Sequence, residues 1–351
     1  MSVRRPLLRP LVPLYAAAVA LKHALRSNHV LPVRRLPGAV ISVGSLSAGG
    51  AGKTPVVLSL AKALSKRDYD VRILTRGYGR KSKAIERVDP SGHPDRFGDE
   101  PLLLAQRSGV PVFVGADRHR AALLARDLPT KGRIVYLLDD GFQHRRLARD
   151  LDLLLLTAQD VRDTLLPAGN LREPLSRLSQ ADVLVIREEE REALQPFLNI
   201  SASPAKAPED MPPTGPALWQ IQRRLEFPDN VVLPQRPVVF CAVARPAGFT
   251  TMLAAQGVTP AETVTFVDHH PYTAADIDRL CQKARQLGAD GFVTTEKDLV
   301  KLRHEHRDRL QSVAPLLVAR LEVDLLEERV AIEQIIRRVS QMNRRRRPPG
   351  P

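Results

Sequence analysis

Residues 38–55 constrain this chain more than any other stretch. An apolar run from Ala39 to Val43 gives way to a glycine-rich loop, Gly44-Ser45-Leu46-Ser47-Ala48-Gly49-Gly50-Ala51-Gly52-Lys53-Thr54. An Ala/Leu-rich segment follows from Val56 to Leu64. The pattern predicts a strand, an anion-binding loop and a helix. Glycines let backbone N–H groups wrap a phosphate without Cβ clashes, and the helix N-terminus adds its positive dipole end. The cradle would comprise Ser47, Ala48, Gly49, Gly50, Ala51, Gly52, Lys53 and Thr54. Lys53 would reach the outer phosphates, and the Thr54 hydroxyl would hold Mg²⁺. The usual spacing has a glycine where Ser47 stands. An ordinary turn before a helix is the rival reading, but the strand-like run before the loop and the helical pattern after it oppose that. A nucleoside-triphosphate site is expected.

The length of 351 residues suggests about two domains. Two cysteines, Cys241 and Cys281, make no disulfide framework and fit a reducing compartment. A net charge of +14 favours a polyanionic partner: nucleic acid, an anionic membrane surface or a phosphorylated substrate. The 4% aromatic content argues against a platform that stacks single-stranded bases. Near the N-terminus, Arg4, Arg5 and Arg9 precede an uncharged run of 11 residues, Leu11 to Leu21. That is short of the ~20 residues a membrane span needs. A basic amphipathic segment lying on an inner leaflet is expected, with a plain core helix as the alternative. Arg344 to Arg347 would form a basic disordered tail suited to anionic lipid or nucleic acid.

Downstream, a strand over 71–74 leads into Arg76-Gly77-Tyr78-Gly79-Arg80, which reads equally as a phosphate grip or a solvated turn. Gly98-Asp99-Glu100-Pro101 opens a helix, and on spacing alone its acids are ordinary capping residues. Asp117-Arg118 begins another. The apolar strand 134–138 closes on Asp139-Asp140-Gly141, where a carboxylate downstream of a phosphate loop is expected to hold Mg²⁺. Further apolar strands at 151–156 and 183–186 imply a parallel, doubly wound sheet. Residues 201–216 read as a linker, and a second α/β unit follows. In it, Asp268-His269-His270 lacks a cysteine or third histidine at zinc spacing, which disfavours a zinc site and leaves proton transfer open. The expected divisions are 1–30 (membrane-associated helix), 31–200 (phosphate-loop domain), 201–216 (linker), 217–320 (smaller α/β domain), 321–342 (helix) and 343–351 (tail).

Taken in order and spacing, these stretches, with Leu166-Pro167-Ala168-Gly169-Asn170-Leu171-Arg172-Glu173-Pro174 and Thr295-Glu296-Lys297-Asp298, resemble the tetraacyldisaccharide 4′-kinase family of lipid A biosynthesis over roughly residues 10 to 335. The Ser47 departure from the common loop is also similar to that family. The resemblance implies a P-loop NTPase-like, doubly wound, mostly parallel α/β sheet joined by a hinge to a second, smaller α/β domain. It implies ATP- and Mg²⁺-dependent phosphorylation of a lipid disaccharide 1-phosphate at the cytoplasmic face of the bacterial inner membrane. By the same resemblance Asp99 and His269 form a base dyad, reversing the capping reading, and Lys53 assists transfer. Thr54, Asp139, Asp140 and Glu100 would serve the metal. Arg76, Tyr78, Arg118 and Arg172 would contact the substrate. Neither nucleic acid nor an obligate protein partner is expected. A P-loop GTPase or metallochaperone-like ATPase switch is the alternative. Guanine readers carry Asn/Thr-Lys-x-Asp, whereas Lys297-Asp298 has no spacer.

Overall fold

The structure, a computed structural model, describes residues 5–27, 32–130, 132–144, 146–201 and 215–346. Most of the expected 201–216 linker, and 347–351 of the tail, lie outside these residues.

A sheet of twelve strands runs through the described residues. Its phosphate-loop part is built around β1 (Ala39–Ser45), buried along its whole length. It pairs in parallel with β5 (Arg133–Asp139) on one side and β6 (Leu151–Leu156) on the other. Beyond β5 lie β2 (Tyr69–Thr75), β4 (Val112–Val114) and a short antiparallel edge, β3 (Glu86–Arg87). Beyond β6 come β7 (Val183–Arg187) and β8 (Ala217–Glu226), both parallel. The chain leaves β1 between two neighbours reached in opposite directions, which opens a crevice at the carboxyl ends of the strands. The phosphate loop and Asp139 both lie there.

The remaining strands form a second parallel set: β9 (Val238–Cys241), β10 (Glu262–Thr265), β11 (Phe292–Thr295) and β12 (Leu316–Leu325). One antiparallel pair, β8 with β12, joins the two sets, with Arg320 opposite Glu226 and Leu325 opposite Ile221. Apolar clusters cover both faces of each set. Ile41, Val57, Leu60 and Leu137 pack on one face of the first, and Leu154, Leu184 and Phe142 on the other. Phe240, Leu280 and Phe292 pack one face of the second, with Val239, Leu253 and Val293 opposite. Two-sided burial explains why these strands read as unbroken apolar runs.

Two expected boundaries move. The terminal helix spans Glu328–Arg346 rather than 321–342, because 321–325 belong to β12 and 343–346 continue the helix. Residues 217–226, assigned from sequence to the smaller unit, bond to β7 and β12 at once. The terminal helix then packs Ile332 and Ile335 back onto the phosphate-loop side of the core.

An α-helix over Val12–Ser27 follows a 3₁₀ turn at Pro6–Leu11. Among the described residues no helix is long and apolar enough to cross a membrane. One side of this segment is fastened to the body: Arg5 N–H donates to Ala168 O at 2.8 Å, and Tyr15 O–H to Arg172 O at 3.0 Å. Leu7, Leu11, Leu14, Leu21 and Leu25 recur at helical spacing and stand exposed.

Candidate active site

The phosphate loop runs from the end of β1 to the helix Lys53–Ser65. Gly49, Gly50 and Gly52 adopt positive φ of 76°, 69° and 91°. Non-glycine residues reach these values only at a cost, so the loop's curvature depends on them. Gly52 caps the helix without a side chain, leaving its first amides turned toward the loop's interior. Behind the loop, Arg187 donates to Gly50 O and Ala51 O, both at 3.4 Å.

Its first half is held by a segment the phosphate-loop pattern does not include. Ser47 bridges Leu171, Ala48 N–H donates to Asn170 O at 2.9 Å, and Arg172 N–H donates to Leu46 O at 2.7 Å. The Ala48 amide is thereby committed, so the expected cradle loses one donor. Arg172 turns its guanidinium into the site, forking onto both carboxylate oxygens of Asp140 at 2.7 and 2.8 Å and onto Ser47 O at 3.0 Å.

Lys53 Nζ donates to Ser45 Oγ at 3.1 Å and pairs with Asp140 at 3.3 Å. Burial alone would raise the Asp140 pKa, but Lys53 and Arg172 hold it well below the usual carboxylate range. Its neighbour behaves oppositely. Asp139 is fully buried, accepts from Thr75 O–H at 2.9 Å, and is pushed up to about 7 by burial together with Glu100 and Asp140. A buried carboxylate crowded by two others and bonded by the Thr75 hydroxyl is chemistry suited to a hard divalent cation. Among the described residues no three His, Cys, Asp or Glu side chains form a metal-holding group. Mg²⁺ commonly takes one or two carboxylates, with water and phosphate oxygens completing its shell. Thr54, Asp139, Asp140 and Glu100 carry oxygen donors of the kind it takes, but their three carboxylates do not converge as one group.

The second strand set delivers the histidine. His269 Nδ1 lies 2.8 Å from Asp99 Oδ2, across 170 residues of sequence. Asp99 begins the helix Asp99–Ser108 and is buried. Burial would raise the Asp99 pKa, yet the bond to His269 and the nearby Lys297 ammonium bring it below its ordinary value. His269 moves up, chiefly through that same bond. His269 sits at φ 63° and Asp140 at 51°, in the left-handed region that His and Asp tolerate better than most residues. Backbone strain of this kind persists where surrounding structure fixes it. A Cβ placed on Gly49 would come within 3.7 Å of Asp268 Oδ2, so the Asp268-His269 loop lies over the phosphate cradle.

The helix bearing Asp99 is clamped to the second strand set along its length. Lys297 Nζ donates to Glu100 at 3.1 Å, and Arg107 pairs with Glu296 and Glu322. Of the residues expected to meet substrate, Tyr78 is exposed with its ring 5.8 Å from the His269 ring. Arg172 is inside the site. Arg118 is buried, donates to Ala116 O at 3.0 Å, and is pushed down to about 10 by burial. Its Nε is buried without a partner. Arg76 is exposed on its loop and acts on Arg118 through charge. No site role falls to Lys297 or Asp268 on sequence, although both lie in quoted motifs, Thr295-Glu296-Lys297-Asp298 and Asp268-His269-His270. Arg107 carries no local signal.

Comparison with known proteins agrees over nearly the whole chain. The family model described as tetraacyldisaccharide-1-P 4′-kinase matches residues 4–340. A tetraacyldisaccharide 4′-kinase from Koribacter versatilis is 39% identical over 337 residues, 94% of this chain and 98% of its own. One from Aquifex aeolicus is 35% identical, covering 85% and 90%. The crystal structure of an "apo" form of LpxK from Aquifex aeolicus in complex with ATP superposes with a TM-score of 0.68 at 32% identity, covering 95% of this chain and 98% of that one. With a family model matched over residues 4–340, a matching fold and relatives of this identity, the chain belongs to the tetraacyldisaccharide-1-P 4′-kinase family.

Proposed function

We propose that this protein transfers the γ-phosphoryl group of ATP to the 4′-hydroxyl of a tetraacyl glucosamine disaccharide 1-phosphate, giving lipid IVA, at the cytoplasmic face of the bacterial inner membrane. The observation that carries this reading is the 2.8 Å Asp99–His269 bond beside the phosphate loop. A switch ATPase needs to position only water. A hydrogen-bonded carboxylate–imidazole pair next to a kinase-type loop suits removal of a proton from an alcohol.

In this reading the loop amides and Lys53 bind the β- and γ-phosphates. Thr54, Asp139, Asp140 and Glu100 would hold Mg²⁺, which when bound offsets charge on the transferring phosphoryl group. Neutral His269, oriented by Asp99, accepts the sugar hydroxyl proton at Nε2. Arg172 stands where a phosphate oxygen would replace the Asp140 carboxylate as its partner. Arg76 and Tyr78 line the approach of the anionic sugar, and the buried Arg118 adds its charge from beneath.

Transfer of ³²P from ATP to the lipid disaccharide 1-phosphate in mixed micelles tests the reading. The expected result is stoichiometric, Mg²⁺-dependent labelling. Lipid-independent hydrolysis, or a strong preference for GTP, would favour the switch reading instead.

The N-terminal segment supplies the membrane seat. Leu14 and Leu21 are 71% and 62% exposed on a helix whose other side is pinned to Arg172. Each such leucine gains roughly 1.5–3 kcal/mol on leaving water. The Leu14→Glu, Leu21→Glu double variant should lose at least about tenfold in co-sedimentation with phosphatidylglycerol vesicles. Undiminished vesicle binding would remove the membrane role from this helix.

A further inference from the structure

The Thr295-Glu296-Lys297-Asp298 segment follows β11, where the second strand set faces the phosphate-loop side. Its turn is rigidly anchored. The Thr295 hydroxyl accepts from Asp298 N–H at 3.2 Å and donates to Asp298 Oδ2 at 2.6 Å. The fully buried Asp298 carboxylate also accepts from Ala242 N–H and from Tyr272 O–H, both at 3.0 Å, and pairs with Lys301 at 2.8 Å. These bonds fix the turn that carries Lys297. Its Nζ lies 3.1 Å from Glu100 Oε1, 3.4 Å from Asp268 Oδ1 and 3.4 Å from His269 Nε2.

An ammonium has only protons to offer. The imidazole nitrogen facing it must therefore present a lone pair. In neutral His269 the single ring proton then resides on Nδ1, from which it is donated to Asp99 Oδ2 at 2.8 Å.

We propose that Lys297 is a positioning residue for phosphoryl transfer: it holds His269 as the Nδ1–H tautomer, with Nε2 bare for the sugar hydroxyl, and ties that imidazole to the Asp99 helix through Glu100. The inference rests on the reading of Asp99 and His269 as the proton-accepting pair. Glu100 and Asp268 keep the ammonium in place when the hydroxyl takes over the 3.4 Å contact at Nε2. The proton moves from the sugar oxygen to Nε2 as that oxygen bonds to phosphorus and the bond to the ADP oxygen breaks.

The groups facing His269 set the sign of the effect. Asp99 approaches from the Asp99–Ser108 helix, Asp268 from its own loop, and Tyr78 from the 76–80 loop, while Glu100 faces Lys297. Lys297 faces the ring directly, and Lys301 acts through Asp99. Asp99 and Asp268 favour the imidazolium, and Lys297 opposes it. Replacing Lys297 by a neutral residue removes that opposition and frees Asp268 to favour the protonated ring.

The test uses the full chain as wild type, Lys297→Met, Lys297→Arg and His269→Ala, assayed with ATP and lipid disaccharide from pH 6 to 9.5. For Lys297→Met the acidic limb of kcat/KM should move up by about one pH unit. The loss should be about tenfold at pH 7 and should fade toward pH 9. Lys297→Arg should restore most of the wild-type profile. Imidazole ¹⁵N shifts, assigned to His269 by their absence in His269→Ala, should show the Nδ1–H tautomer in the wild type at pH 9. A wild-type Nε2–H tautomer would overturn the proposal even if Lys297→Met failed to fold. So would a loss in Lys297→Met equal at every pH, or one confined to the KM for ATP, which would make Lys297 a phosphate contact. If His269→Ala keeps wild-type kcat, the dyad reading itself falls. If His269→Ala is crippled while Lys297→Met retains the wild-type profile, only the role of Lys297 falls.

Discussion

Lys53→Ala should lower kcat for phosphoryl transfer by at least about 10³-fold while leaving the fold intact. Lys53 is the first residue of the phosphate-loop helix, a position where alanine costs no helix propensity. Its Nζ is bonded only within the site, to Ser45 Oγ and Asp140. Asp140 keeps its bidentate partner Arg172 in the variant, so no carboxylate is stranded. What disappears is a flexible cation placed to follow the γ-phosphoryl group as charge moves onto the leaving oxygen. Lys53→Arg should not rescue, because a planar guanidinium is bulkier than the slot between Ser45 and Asp140 and cannot act as a point charge there. Steady-state kinetics at saturating lipid, paired with a thermal melt, make the check. A folded Lys53→Ala protein within tenfold of wild-type kcat would remove the phosphate-loop assignment.

Legibility in the sequence followed locality. β1, β5 and β6 were readable because strands buried on both faces show as short apolar runs. The phosphate loop and the Asp139 terminus were readable because each attaches to the end of such a run. The helix expected from 321 failed because Leu316–Leu325 is a half-buried strand whose polar positions resemble a helical face. Only pairing with β8, from Arg320 to Glu226 and onward, reveals it. Asp99 was unreadable for a different reason. Acids in the first turn of a helix are common everywhere, and nothing within a few residues separates this one from a cap. Its meaning comes from a histidine 170 positions away. Arg172 and the 166–174 segment likewise acquire a role only through bridging to Leu46–Ala48. Family resemblance supplied these assignments where residue patterns did not.

Asp99→Asn should cost about 10²- to 10⁴-fold in kcat and change the KM for ATP little, because Asp99 contacts the base rather than the phosphate loop. The pH profile distinguishes this from general damage. The bond to Asp99 raises the His269 pKa above its ordinary 6.5. His269 must be neutral to accept a proton, so wild-type kcat/KM should rise with pH through a limb lying above 6.5. Asparagine can still accept from Nδ1–H but carries no charge, and the imidazolium loses its main support. The acidic limb should therefore move to lower pH in Asp99→Asn, opposite to the shift expected for Lys297→Met. His269→Ala should lose as much activity as Asp99→Asn or more, and the double variant should be scarcely worse than His269→Ala alone, since the pair acts as a unit. An unmoved limb in Asp99→Asn, or losses that multiply in the double variant, would mean that the two residues do not share one proton transfer.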